Sequence, residues 1–203
     1  IELASKRQVY EALMSTVRED LSEKKFSYEQ ELKKTRQKRA YYMSMEFLVG
    51  RTLRNNLFNL DLEKDVREYF ADNGISLDEI YDIEPDPGLG NGGLGRLASC
   101  YLDALTSSDY PVTGFSILYE YGIFKQVINN GWQQEFPDYW LELGKYGLVY
   151  RNDEEVEVRF YGRVEEKLTE DGFKVEHKDY TSIQAEPYDL LISGYKTGTV
   201  NTL

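Results

Sequence analysis

The residues best suited to chemistry sit in a glycine-rich run, Asp86-Pro87-Gly88-Leu89-Gly90-Asn91-Gly92-Gly93. Glycine has no Cβ, so its backbone can approach a ligand closely. Directly after the run, Leu94, Leu97, Ala98, Tyr101, Leu102 and Leu105 recur at helical spacing, and this predicts one buried helix face. The run therefore feeds a helix N-terminus. The first N–H groups of a helix have no internal acceptor, and the macrodipole adds partial positive charge there. Such a site binds phosphate without a basic side chain. The N–H groups of Gly92, Gly93 and Leu94 are the candidate donors. The competing reading is a glycine turn that serves packing alone.

Gly88-x-Gly90-x-x-Gly93 also fits the dinucleotide fingerprint. The residues before it, Ile83-Glu84-Pro85-Asp86-Pro87, are acidic and broken by proline, whereas that fingerprint follows a buried strand. No Lys-Ser/Thr pair follows, so it is not a P-loop either. Other candidates are single residues. Glu46 ends an alternating hydrophobic stretch and is either a cleft carboxylate or a structural partner of Arg51 or another cation. Arg96 falls in the first turn after the loop, where a cation opposes the dipole. It calls for a carboxylate or ligand partner, unless it is solvated or structurally paired. His177, the only histidine, lies among Glu176, Lys178 and Asp179 and has no triad or metal companions. Cys100 is the only cysteine, so no internal disulfide can form. A buried helix residue is the simplest account of it.

The elements that must position these residues are legible in outline. Ser5-Lys6-Arg7-Gln8 fits a capping box. Tyr10, Leu13, Met14, Val17 and Leu21 then predict a helix from about Ser5 to the mid-thirties. Residues 40–49 alternate, which predicts a strand with Glu46 near its carboxyl end. Helices are expected over 52–60, 62–73 and 76–81. From Pro111 onward the pattern is extended: strands over 112–119 and 122–129, a turn at Asn129-Asn130-Gly131, a hairpin of 156–165 with 173–186, and a short strand at Leu190-Leu191-Ile192. Strands mixed with helices, and a glycine loop at a helix start, imply an α/β domain with its ligand at the carboxyl ends of the strands.

Bulk properties exclude several functions. The chain has 203 residues and a net charge of -12, so it lacks the basic stripe of a nucleic-acid binder and is repelled by anionic membranes. No apolar run reaches the roughly 20 residues that span a bilayer. The start, Ile1-Glu2-Leu3-Ala4-Ser5-Lys6-Arg7, does not read as a signal peptide. A beginning without Met and a stop at Asn201-Thr202-Leu203 read as a piece of something longer.

Two long motifs, Tyr41-Tyr42-Met43-Ser44-Met45-Glu46-Phe47-Leu48-Val49-Gly50-Arg51-Thr52-Leu53 and Asp86 through Ala98, closely resemble the glycogen/starch (α-glucan, maltodextrin) phosphorylase family. Tyr119 to Phe124, Gly131-Trp132-Gln133, Trp140-Leu141, Phe160 to Val164, Pro187-Tyr188-Asp189 and Val200 to Leu203 continue the likeness in order. The resemblance implies a Rossmann-like N-terminal part of a two-domain GT-B type glycosyltransferase fold. Residues 1–203 would be a partial N-terminal α/β domain, without the cofactor-binding C-terminal domain. It implies phosphorolysis of α-1,4-glucan to glucose 1-phosphate. The cofactor would be pyridoxal phosphate, bound covalently by a lysine not present in this chain. Partners would be an α-glucan and inorganic phosphate, with no nucleic acid and no membrane, in a cytoplasmic homodimer. By resemblance, Glu46, Asn91, Gly93 and Leu94 are catalytic, and Gly92 and Gly93 bind the cofactor side. Leu48 stands where vertebrate members place a Tyr against the cofactor. Lys33 stands where AMP-responsive animal members carry a stacking Tyr, which implies a form without nucleotide activation. Cys100 matches a position at their subunit contact. A piece this short is expected to be inactive alone. A non-catalytic anion- or glucan-binding module and half of a nucleotide-sugar glycosyltransferase are the alternatives.

Overall fold

The computed structural model describes residues 4–203. Ile1, Glu2 and Leu3, which enter the reading of the start as no signal peptide, lie outside the described residues. The chain divides into two compact units, residues 1–148 with 190–203 and residues 149–189.

The first unit opens on α1 (Lys6–Thr35). Its start is the capping box expected from sequence: the Gln8 N–H donates to Ser5 Oγ at 3.3 Å, and the Ser5 N–H donates to Gln8 Oε1 at 2.9 Å. Tyr10, Met14, Val17, Leu21 and Leu32 are buried along one stripe. Arg36 ends the helix in the left-handed region, φ 51°. Next come β1 (Ala40–Met43), α2 (Leu53–Asn59), α3 (Glu63–Asp72), α4 (Leu77–Tyr81), α5 (Gly93–Ser107) and β2 (Val112–Phe115). Then follow β3 (Lys125–Asn129), β4 (Trp132–Phe136), α6 (Leu141–Gly144) and β5 (Leu148–Tyr150). After the second unit, β10 (Tyr188–Ser193) and β11 (Val200–Thr202) complete a mixed sheet of order β1-β2-β11-β10-β5. β1 and β11 both run parallel to β2, and β10 is antiparallel to β11. Phe47, Ala98, Leu102, Val112, Trp140 and Ile192 belong to the core on this sheet.

The strand expected over 40–49 stops at Met43. The Ser44 N–H still reaches Phe115 O, at 3.0 Å, but the Phe47 N–H turns to Leu89 O and the Leu48 N–H to Gly95 O, both at 2.9 Å. The donors that would have continued the ladder are taken by the loop and by α5. The strand expected over 112–119 likewise ends at Phe115, and that expected over 122–129 begins at Lys125. The Asn-Gly turn is as expected. Asn129 pairs with Trp132 across Asn130 (φ 50°) and Gly131 (φ 80°), the left-handed pair of a two-residue hairpin loop.

The second unit is a pair of nested antiparallel ribbons. β6 (Val156–Phe160) pairs with β9 (Thr181–Ala185), and β7 (Arg163–Thr169) pairs with β8 (Gly172–Lys178). The single hairpin expected here is therefore broken in its middle. Tyr161 (φ 62°), Gly162 (φ 73°) and Asp179 (φ 54°) take left-handed conformations at the break. His177 Nε2 lies 2.6 Å from Tyr161 O, so that nitrogen carries the proton and the ring fastens the bend.

One buried carboxylate holds the first unit's helical layer. Glu84 is 3% exposed. Its Oε1 accepts the Thr52 N–H at 2.7 Å and the Thr52 hydroxyl at 2.9 Å, and its Oε2 accepts the Leu53 N–H at 3.1 Å. It thus caps the start of α2, where no local side chain does. Burial pushes its carboxyl above the usual range, and the bonds from Thr52 and Leu53 pull it back. Glu84→Ala would leave two N–H groups buried without acceptors. We expect a loss of about 2–4 kcal/mol in unfolding free energy, read by denaturant titration.

Candidate functional site

The site forms where residues 46–48 meet the loop before α5. Gly92 is the N-cap of α5 in an extended conformation (φ -152°, ψ -157°), and no side chain caps the helix. The first bond of the helix runs from the Arg96 N–H to Gly92 O at 2.9 Å. The N–H groups of Gly93, Leu94 and Gly95 therefore precede the hydrogen-bonded ladder. At Gly92 and Gly93 an added Cβ would meet no atom within 4 Å, and Leu94 is 58% exposed. This end of α5 is open to a ligand.

The glycines divide into two classes. An added Cβ on Gly88 would lie 2.6 Å from Trp140 Cδ1 and 2.7 Å from Gly122 Cα. One on Gly90 would lie 2.8 Å from Leu48 N, and one on Gly95 would lie 3.0 Å from Glu46 Cβ and 3.1 Å from Leu48 N. Those three permit close packing. Gly92 and Gly93 face open space instead. Within the run, the packing reading thus holds at Gly88 and Gly90, while Gly92 and Gly93 leave room for a ligand. Gly95 was not singled out from the sequence. Its signal was the small residue inside an otherwise apolar helical repeat.

Glu46 lies just past the end of β1, half-buried. Its Oε2 accepts the Asn91 N–H at 3.3 Å, and its own N–H donates to Ser44 Oγ at 3.3 Å. It does not pair with Arg51, which instead meets Asp82 Oδ1 at 3.3 Å and Tyr81 O at 3.3 Å. Arg96 Nη1 donates to Leu48 O at 3.2 Å, so its partner is a backbone carbonyl and its pairing is structural. Glu46, Asn91, Gly92, Gly93 and Leu94 are thus brought to one place, with Asn91 exposed beside them. Tyr119 supports the segment from behind, its hydroxyl donating to Met45 O at 2.9 Å.

The α5 face expected to be buried is rotated. Gly95, Ala98, Ser99, Leu102 and Thr106 face the core, whereas Leu94, Leu97 and Tyr101 are exposed, Tyr101 by 51%. Ser99 and Thr106 can be buried because their hydroxyls bond back to Gly95 O (3.0 Å) and Leu102 O (2.6 Å). Cys100 is exposed, not buried, because it falls on the outward side of the same helix.

Chemically the arrangement can hold an anion against unpaired N–H donors, with one carboxylate beside it. Among the described residues no group of His, Cys, Asp or Glu side chains could hold a metal ion. No described helix is long and apolar enough to cross a membrane. A phosphate-bearing cofactor fits the open face of Gly92 and Gly93, where donors stand free of any Cβ.

The sequence pattern of the carbohydrate phosphorylase family matches residues 70–203. A glycogen phosphorylase of Bacillus subtilis (strain 168) is 42% identical over 200 residues, covering 98% of this chain and 25% of that protein. The brain form of glycogen phosphorylase from Homo sapiens is 43% identical over 201 residues, 99% of this chain and 23% of that one. A glycogen phosphorylase of Chlamydia pneumoniae is 42% identical over 203 residues, 100% of this chain and 25% of its own length. The chain spans about a quarter of the length of the curated relatives it matches. With a likeness that runs from one end of the sequence to the other, over both Glu46 and the glycine loop, the chain belongs to the carbohydrate phosphorylase family.

Proposed function

We propose that residues 1–203 are the N-terminal portion of an α-1,4-glucan phosphorylase that releases glucose 1-phosphate from glycogen, starch or maltodextrin with inorganic phosphate. They form part of a Rossmann-like N-terminal domain in a two-domain GT-B type fold. The observation that carries this reading is the uncapped start of α5, with Gly92 and Gly93 open and Glu46 3.3 Å from the Asn91 N–H. The N–H groups of Gly92, Gly93 and Leu94 hold the substrate phosphate and steady charge on it as the glycosidic bond breaks. Asn91 lines the same loop. Glu46 fixes the loop through its bond to Asn91 and faces the cleft.

The cofactor of this reading is pyridoxal phosphate, held by a lysine outside residues 1–203, with Gly92 and Gly93 packing beside it. When bound, it supplies a phosphate group that passes a proton to the attacking phosphate. The chain's own residues contribute binding and orientation. The one histidine is engaged with Tyr161 O. The whole enzyme works as a cytoplasmic homodimer, and the isolated portion is inactive.

The test is phosphorolysis with maltodextrin, phosphate and pyridoxal phosphate. The full-length protein is expected to release glucose 1-phosphate, and residues 1–203 alone to release none. Product from the short chain would sink the division of labour described here. Two glycine variants separate site from scaffold. Gly93→Ala adds a Cβ into open space, so its stability should change by less than about 1 kcal/mol, while turnover should fall about 100-fold because phosphate can no longer approach the donors. Gly90→Ala drives a Cβ onto Leu48 N and should lower the unfolding free energy by about 1–3 kcal/mol, measured by thermal denaturation.

A further inference from the structure

A second cleft, of about 640 Å³, lies in the first unit between α2, α3 and α4 and shares no residue with the Glu46–Gly93 site. That size is within the range of small-molecule sites. Its charges are already matched. Arg51 meets Asp82 at 3.3 Å, and Arg54 approaches Glu63 at 3.7 Å while its guanidinium lies over the Tyr81 ring, 5.7 Å from the centroid. Arg67, behind them, holds Asp78 at 2.8 Å and Glu63 at 3.2 Å. A charged ligand would have to break one of these pairs. A neutral, hydroxyl-rich ligand would not: each carboxylate keeps spare lone pairs and each guanidinium spare N–H groups, and hydroxyls can use both.

Two further features fit that ligand class. Phe58 lines the cleft and is 52% exposed, and its ring stacks on Tyr195 at 5.2 Å with planes 13° apart. The pair offers a flat apolar surface of the kind the C–H face of a sugar ring can cover. The Tyr81 ring, more than nine-tenths buried, forms part of the cleft wall. The Asn55 carboxamide adds one more donor and acceptor at the rim.

We infer that this cleft is a sugar-binding subsite that holds a glucose unit of an α-glucan apart from the phosphate loop, with Phe58 as its platform. The sugar chemistry comes from the cleft, and only the identity of the polymer rests on the proposed phosphorylase reading.

The experiment is affinity electrophoresis of the full-length protein in gels cast with and without glycogen, beside phosphorolysis of a short maltodextrin. Phe58→Ala is expected to weaken retardation by glycogen about tenfold and to leave kcat on the short substrate unchanged. Tyr195→Ala removes the other half of the stacked pair and should act the same way. It serves as the readout if Phe58→Ala does not fold. Unchanged retardation in both variants, with phosphorolysis intact, overturns the subsite and spares the enzymatic reading. Retardation that depends on Phe58 in a protein without phosphorolysis overturns the enzymatic reading and keeps the subsite. A wild-type protein that glycogen does not retard overturns the subsite outright.

Discussion

The candidate site depends on how closely residues 46–48 approach the start of α5. Backbone bonds from Phe47 to Leu89 and from Leu48 to Gly95 lock the segment to the loop and helix. Arg96 returns to Leu48 O and closes the connection. Each bond is worth about 1 kcal/mol net, but leaving any of these groups buried and unpaired would cost more. Glycine at positions 90 and 95 permits the approach: a Cβ at 90 would lie 2.8 Å from Leu48 N, and one at 95 would press on Glu46 Cβ at 3.0 Å. Those glycines set the distance, and that distance sets where Glu46 and the open N–H groups stand.

Core and site share this segment. Phe47 is fully buried, 5.9 Å from Tyr42 in an edge-to-face contact. Gly114 on β2 makes room for it, since a Cβ there would lie 3.0 Å from Phe47 Cζ. With Phe47 pointing inward, its neighbours Glu46 and Leu48 are left at the loop. The residue that seals the core therefore also orients the carboxylate. A core change at Phe47 would displace the loop before it disturbed distant elements, because the loop's hydrogen bonds are made to the same three residues.

What could be read from sequence was local. The capping box at Ser5, the Asn-Gly turn and the glycine junction with α5 depend on neighbours in the chain, and each stands where expected. What could not be read depended on distant partners. The end of β1 is set by where the N–H groups of Phe47 and Leu48 go, and hydropathy does not encode that. The buried face of α5 was misplaced because polar residues take part in it. Thr106 is fully buried and accepts from Asn201, itself on β11. β11 escaped notice for the same reason. It is Val-Asn-Thr, and its Asn201 is buried only because it also donates to Tyr110 O and accepts the Val112 N–H. Sites made of polar side chains that satisfy one another leave no apolar period to detect.

On the proposed reading, the same geometry explains why a portion of the enzyme can be specific yet silent. Phosphoryl and glycosyl chemistry needs charge stabilisation and a moving proton. The start of α5 supplies the first through fixed N–H donors that need no reorganisation when charge develops. It supplies none of the second. Glu46 accepts the Asn91 N–H, and His177 is tied to a backbone carbonyl in the other unit. Fixed donors alone bind and orient an anion without turning it over. The proton must then come from groups brought against the open face of Gly92 and Gly93. That requirement fits an uncapped helix end: any side chain able to cap it from within would take the place the phosphate needs.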